Sequence, residues 1–237
     1  MDIIFCECVA MIVSHENKFI FIKTKKTASS SMEAALGGVC GDKDIITPLT
    51  EDEEVFRIEK FGRGAQNYKI DLHRWRVKDY IRLLKGRKIE FYNHIPGKLV
   101  RYYLGEKVWN NYYKFCFERN PFDKVVSYIF FKHGNVDDVN DFVTDELLHA
   151  VRKGGYHLYT DNGRIIVDKI YKYEELDESI SELCALLSID RIELPKLKSN
   201  YRKTRAGWRD ILSRQSQMKI YDYFEWEFSN LYKDIRI

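Results

Sequence analysis

Two short apolar runs, Val9 to Val13 and Lys18 to Thr24, flank the polar tetrad Ser14-His15-Glu16-Asn17, a pattern that predicts two strands and a turn. The period changes at Ser29. From there to Leu36, Met32, Ala35 and Leu36 share one helical face, and Gly37-Gly38 stops the helix. Residues 42–67 are polar and read as irregular. Val77, Tyr80, Ile81 and Leu84 stand at helical spacing in a predicted helix from Arg74 to Leu84. A short strand is predicted over Lys88 to Tyr92, ending at Asn93-His94, then a helix over Pro96 to Leu104 with proline in its first turn. Tyr113 to Glu118 reads as a strand and Pro121 to Phe131 as a helix. Asp137 to Arg152 reads as a helix, Ile165 to Tyr173 as a strand and Asp177 to Leu187 as a helix. Gln215 to Tyr232 closes the chain as a helical region. Apolar strands alternating with helices predict an α/β fold with a mainly parallel central sheet flanked by helices. In such sheets ligands sit beyond the carboxyl ends of the strands. Lys26, His94 and Arg119 each fall just after a predicted strand, so one site can contain all three.

Composition narrows the partners. At 237 residues the chain suits one core, predicted as one domain over 1–237, with 42–76 as an acceptor-side excursion or lid. A net charge of +3 is too small to argue for nucleic-acid binding. The charge is uneven, however: Lys196 to Lys219 carries eight Lys or Arg against the one acid Asp210. Five cysteines without a CxxC pair suggest neither a disulfide framework nor a zinc site. No positively charged leader and no run of transmembrane length stands out, so the expectation is a reduced, cytoplasmic protein.

The candidate chemistry lies in two stretches. In the first, FIFIKTKKTASSSMEAAL, a strand empties into a loop where Lys23, Lys25 and Lys26 precede Thr27, Ser29, Ser30 and Ser31 at a helix start. Backbone N–H groups, the helix dipole, hydroxyls and ammonium groups would converge there on an anion. The alternative is a plain helix cap by Ser29 or Ser30. In the second, FCFERNPFDKVVS, a strand delivers Arg119, a planar donor suited to phosphate, and Asn120-Pro121 opens a helix that carries Ser127. The alternative there is an Arg119–Asp123 pair with Asn120 as cap.

Together these stretches resemble the sulfotransferases. Lys26-Thr27-Ala28-Ser29-Ser30-Ser31 is similar to their 5′-phosphosulfate loop, and Arg119-Asn120-Pro121-Phe122-Asp123, with Ser127, to their 3′-phosphate motif. The order and separation suit the carbohydrate-modifying branch, and Tyr171 to Leu176, YKYEEL, resembles a later strand-to-helix element. Lys25 replaces the usual proline, and Ala28-Ser29 the usual two glycines. The resemblance implies a P-loop-like three-layer sandwich. It also implies 3′-phosphoadenosine 5′-phosphosulfate (PAPS) as donor, no metal, and an acceptor hydroxyl, saccharide foremost. Lys26, Thr27, Ala28, Ser29, Ser30 and Ser31 would then hold the 5′-phosphosulfate, with Lys26 also neutralising the leaving phosphate. Arg119 and Ser127 would hold the 3′-phosphate. Arg202, Lys203 and Arg205, in YRKTRAGWR, occupy the place of a loop that closes over the nucleotide.

A hydroxyl acceptor needs a base, and His94, expected at the carboxyl edge of the sheet, is the first candidate. His73 and Glu33 are the alternatives, although Glu33 is expected to face out from its helix. A P-loop-like ATP-dependent kinase is a second reading. It lacks the spacing GxxxxGK[ST], and its only loose candidate for a magnesium-binding acid is Asp168. A nucleotide- or glycan-binding module without turnover is a third.

Overall fold

In the computed structural model, which describes residues 11–92, 94–195 and 206–237, five strands form the central sheet. They are β1 (Ile12–Ser14), β2 (Phe19–Phe21), β3 (Ile45–Ile46), β4 (Tyr113–Glu118) and β7 (Lys169–Lys172), in the spatial order β3-β1-β2-β4-β7. The pairs β2–β4 and β4–β7 are parallel, while β1 runs against both of its neighbours. Four strands therefore share one direction. β5 (Thr160–Asp161) and β6 (Arg164–Ile165) form a separate hairpin.

Alternation assigns the faces. Ile12, Phe19, Phe21, Phe115, Phe117 and Tyr171 point to one side, against Met32, Ala35 and Leu36 of α1 (Ser29–Gly37) and Ile180, Leu183 and Cys184 of α9 (Leu176–Leu187). Val13, Ile20, Ile22 and Cys116 point to the other, against α4 (Gly97–Leu104) and α5 (Glu106–Asn111). Each fully buried Phe contributes roughly 1.5–3 kcal/mol from area alone, so Phe19, Phe21, Phe115 and Phe117 tie the two central strands to one layer. A third cluster joins α6 (Pro121–His133), α7 (Asp145–Lys153), α10 (Trp208–Ile211), α11 (Arg214–Tyr223) and α12 (Glu225–Asn230). The short α8 (Tyr156–Tyr159) leads into the hairpin.

Five expectations need correction, and the first is the strand read over Ile165 to Tyr173: Ile165 belongs to the β6 hairpin, and the sheet strand starts only at Lys169. The excursion at 42–67 is not irregular: it contains β3 and the helix α2 (Glu51–Phe61), opened by a Thr50–Glu53 capping box. The inward face of α2 holds Glu53 and Arg57 rather than apolar residues, so hydrophobic periodicity had nothing to detect. Lys88 to Tyr92 is no strand. Ile89 and Phe91 are buried, yet the segment makes only the bridge Lys69–Glu90, and His94 follows an extended segment rather than a sheet strand. The Arg74–Leu84 prediction resolves into a 3-10 turn at Leu72–Arg74 and the helix α3 (Val77–Leu84). The helix expected over Asp137 to Arg152 similarly shrinks to α7 with a 3-10 turn before it.

Candidate active site

β2 ends at Phe21, and the chain leaves the carboxyl edge of the sheet through Lys23-Thr24-Lys25-Lys26-Thr27-Ala28 into α1. The loop is pinned on three sides. The Lys25 amide donates to the Gly154 carbonyl at 2.7 Å, the Thr24 hydroxyl donates to the Phe117 carbonyl, and the Thr27 hydroxyl bonds Thr24 Oγ1 at 3.0 Å. A Cβ on Gly154 would collide with the Lys25 side chain. Gly154 is thus small because the loop passes against it.

Lys26 and Ala28 take left-handed backbone angles, φ 65° and 51°. Glycine adopts that region freely and alanine does not, so the Ala28 found here stands where a glycine would be more relaxed. Ala28 is the N-cap of α1, and no side chain caps the helix. The predicted alternative of a Ser29 or Ser30 cap is therefore overturned. The first turn of α1 turns its amides and positive dipole end to the loop without a side-chain oxygen in between.

The hydroxyls differ in what they can offer. Thr27 is buried and its hydroxyl is engaged inside the loop. Ser29 and Ser31 are buried, while Ser30 is partly exposed and accepts from Lys23 Nζ at 3.3 Å. Lys26 Nζ lies 4.3 Å from the centre of the Phe131 ring on α6. Ser127 stands one turn before Phe131 on the same helical face and is partly exposed. That arrangement draws the far end of the second motif towards Lys26.

Arg119 emerges from β4. Its guanidinium lies 4.5 Å from the centre of the Tyr173 ring, and Nη1 reaches the Lys26 carbonyl at 3.5 Å. Its buried Nε has no hydrogen-bond partner among the described residues. Asn120 caps α6 by accepting from the Phe122 amide, and the Asn120 amide donates to Glu174 at 2.9 Å. The cap half of the structural alternative is therefore correct, but Arg119 rests on Tyr173 and the Lys26 carbonyl. Trp208, three residues after Arg205, stacks on Phe122 with ring centres 4.2 Å apart. Arg202, Lys203 and Arg205 themselves lie outside the described residues.

His94 is partly buried, at φ 53°, and its Nδ1 bonds the Lys23 carbonyl at 2.9 Å. A carbonyl only accepts, so Nδ1 carries the proton and Nε2 keeps a lone pair. Burial holds the His94 imidazole well below its ordinary pKa, with help from the charges of Lys23, Lys25 and Lys124. His94 is therefore neutral near pH 7.

Glu33 does not face out. It is fully buried, 3.1 Å from Lys23 Nζ and 3.7 Å from Arg57 Nη1, and it accepts from Thr47 at 3.3 Å. Burial nevertheless pushes its carboxyl up to about 7 against those two cations. The cluster joins the Lys23–Ala28 loop to α2 and occupies Glu33 as a structural partner. His73 is exposed beside Arg74. Asp168 precedes β7, accepts from the Lys114 amide at 2.7 Å and pairs with Lys114 Nζ at 2.8 Å. It therefore lies at the end of the sheet opposite the loop, out of reach of a phosphate held there. A cavity of about 640 Å³ is lined by His15, Lys69, Arg74, Phe91 and Tyr103 and contains none of the predicted site residues.

Behind the loops, Glu118 pairs with Lys124 beside Gly155, both side chains buried. Burial, with the Glu118 charge second, pushes the Glu227 carboxyl up to about 7, although Arg152 stands 3.8 Å away. A carboxyl whose folded pKa exceeds its unfolded value stabilises fully below about 4.5, and that contribution is lost as pH rises through 7. Glu227→Gln should remove this dependence. Relative to the parent, its unfolding free energy in urea should gain about 3 kcal/mol between pH 4.5 and pH 8, because each pH unit separating the folded from the unfolded pKa corresponds to about 1.4 kcal/mol. A difference that stays constant with pH would contradict this.

A family model described as the sulfotransferase family matches residues 9–155, which include both loops, Arg119, Ser127 and His94. The chain belongs to the sulfotransferase family. It is also similar to an uncharacterized protein of Archaeoglobus fulgidus, with 34% identity over 96 residues that make up 38% of this chain and 78% of that protein. No solved structure matches it. Tyr173 and Glu174, which seat the second motif, lie beyond the matched segment. The YKYEEL stretch contains both, but only the fold reveals what they touch.

Proposed function

We propose that this sulfotransferase moves a sulfuryl group from PAPS to an acceptor hydroxyl, a carbohydrate hydroxyl foremost, in a P-loop-like sandwich. The observation that carries the reading is convergence. Arg119 Nη1 reaches the Lys26 carbonyl and His94 Nδ1 bonds the Lys23 carbonyl, so the two phosphate motifs and the candidate base meet on one six-residue loop.

The residues fit a nucleotide with charged groups at both ends. The uncapped α1 start and Lys26 suit one, and Arg119, whose buried Nε has no partner among the described residues, suits the other. PAPS supplies a sulfuryl group joined to a phosphate leaving group. His94 Nε2 takes the acceptor hydroxyl proton as the acceptor oxygen–sulfur bond forms and the bond from sulfur to the bridging phosphate oxygen breaks. The electron pair of that bond stays on the phosphate. Lys26 and the α1 amides stabilise the charge growing there, where positioned donors act most strongly. Arg119 and Ser127 hold the 3′-phosphate. The acceptor approaches from the His94 side.

Thermal unfolding tests the donor class. Adenosine 3′,5′-bisphosphate at about 100 times its dissociation constant should stabilise by roughly 2.7 kcal/mol, or about 5–10 °C for a chain of this size. Arg119→Ala should lose most of that shift. ATP with magnesium stabilising as strongly as the bisphosphate would overturn the donor assignment. Transfer of labelled sulfate from PAPS to a panel of saccharides, lipids and simple alcohols tests the acceptor class.

A further inference from the structure

The helix α3 is built inside out. Val77, Tyr80, Ile81 and Leu84 recur at the spacing that in a surface helix faces the core. Here Val77 is 79% exposed, Leu84 87%, Tyr80 51% and Ile81 49%. The opposite face docks through charge instead. Asp79 is fully buried, accepts from the Arg76 amide, the Arg76 guanidinium and the Tyr103 hydroxyl at 2.9–3.1 Å, and lies 3.6 Å from Arg82 Nη1. Arg82 in turn lies 5.7 Å from the centre of the Tyr92 ring. The apolar face therefore looks outward because the polar face is fixed inward. Leu83, 49% exposed and next to Tyr80 around the helix, widens the patch. Large apolar side chains exposed elsewhere among the described residues stand singly or in a pair.

The surroundings of the patch are cationic. Lys78, Lys85, Arg87 and Lys88 are exposed, and the acid of the 72–88 segment, Asp79, is buried; Asp71 and Glu90 only border it. At 100° per residue, Lys78 and Lys85 flank the apolar stripe on one side. A second copy packed face to face would bring these same cations together. A surface of acyl chains under anionic headgroups complements both halves of the patch, since apolar side chains enter the interface and the lysines meet the headgroups. No helix among the described residues is long and apolar enough to cross a membrane, and α3, about 12 Å long, has the dimensions to lie on one.

We propose that α3 docks this protein on an anionic membrane surface. The docked helix meets Tyr92, two residues before His94, through Arg82. The proposal does not depend on the identity of the donor or the acceptor.

Flotation of the full chain with vesicles tests it. Vesicles of about 30 mol% phosphatidylserine in phosphatidylcholine should carry the protein up at low salt. Pure phosphatidylcholine should bind at least tenfold more weakly, and raised salt should release the protein. The Val77→Asp, Leu84→Asp double variant should bind at least tenfold more weakly. Lys78→Glu with Lys85→Glu should do the same, at roughly fivefold or more per charge. All four side chains are exposed, so thermal unfolding and stabilisation by the bisphosphate should be unchanged. Failure of the parent chain to float with anionic vesicles overturns the proposal, as does binding indifferent to both double variants. Lipid-free self-association abolished by Val77→Asp, Leu84→Asp also overturns it, because the patch would then cover a second copy.

Discussion

Lys26→Ala should lower kcat by roughly 10²–10³, the cost typical of removing one positioned donor from a developing oxyanion. Of the loop's three lysines, Lys26 is the one assigned here to the leaving phosphate. Lys23 is paired with Glu33 at 3.1 Å and bonded to Ser30, and the Lys25 amide is fixed to Gly154. Lys26 instead sits at a left-handed residue, with its ammonium against the Phe131 ring 4.3 Å away. An aromatic face attracts a cation by only on the order of 0.5–1 kcal/mol at exposed sites, so that contact does not hold the ammonium back from an anion. The effect should fall on kcat more than on donor affinity, because the charge it meets grows during transfer. Near-parental kcat at saturating donor would remove Lys26 from the mechanism.

His94→Ala should depress kcat by roughly 10²–10⁴, the range for general base catalysis, while stabilisation by adenosine 3′,5′-bisphosphate stays close to that of the parent. The Nδ1 bond to the Lys23 carbonyl gives a sharper version of the test. In His94→Asn an amide N–H can replace Nδ1 as donor but cannot take a proton. If asparagine restores turnover, His94 positions the loop; if asparagine is as poor as alanine, His94 is the base. The pH profile adds a second signature. Burial and the three nearby lysines hold His94 well below its usual pKa, so kcat/KM should show no fall near pH 6.5 and should fall only at lower pH. An anionic donor places negative charge beside the same cations, so the fall in kcat should occur at higher pH than the fall in kcat/KM.

Much of this site was legible because its chemistry is local. Lys26 to Ser31 and Arg119 to Ser127 each place their candidate groups within one loop and one helix start, so the resemblance to the family's two motifs could be read from two short stretches. The strand order of an alternating α/β pattern then brings both to one edge. What escaped was held by distant partners. Glu33 looked like a solvent-facing helical residue because nothing near it in sequence announces Arg57 or Thr47. α2 was invisible for the same reason, since its buried face is charged. The pattern Val77, Tyr80, Ile81, Leu84 identified a helix, but not that this face looks outward, which follows from Asp79 binding Arg76 and Tyr103 inside. The extended run before His94 looks like a strand in composition, but β3 and β7 end the sheet and Lys88 to Tyr92 makes only one bridge.

The seat of Arg119 also bears on how this chain can be divided. The guanidinium rests on Tyr173, and the next amide is held by Glu174, whose other oxygen accepts from Tyr232. All three residues lie past position 155, where the family match ends. A fragment cut at that boundary would retain every motif residue from Lys26 to Ser127 and lose the platform on which Arg119 is levelled. In grafts between relatives, Tyr173, Glu174 and Tyr232 should therefore travel with the second motif as one inherited block, although more than a hundred positions separate its two ends.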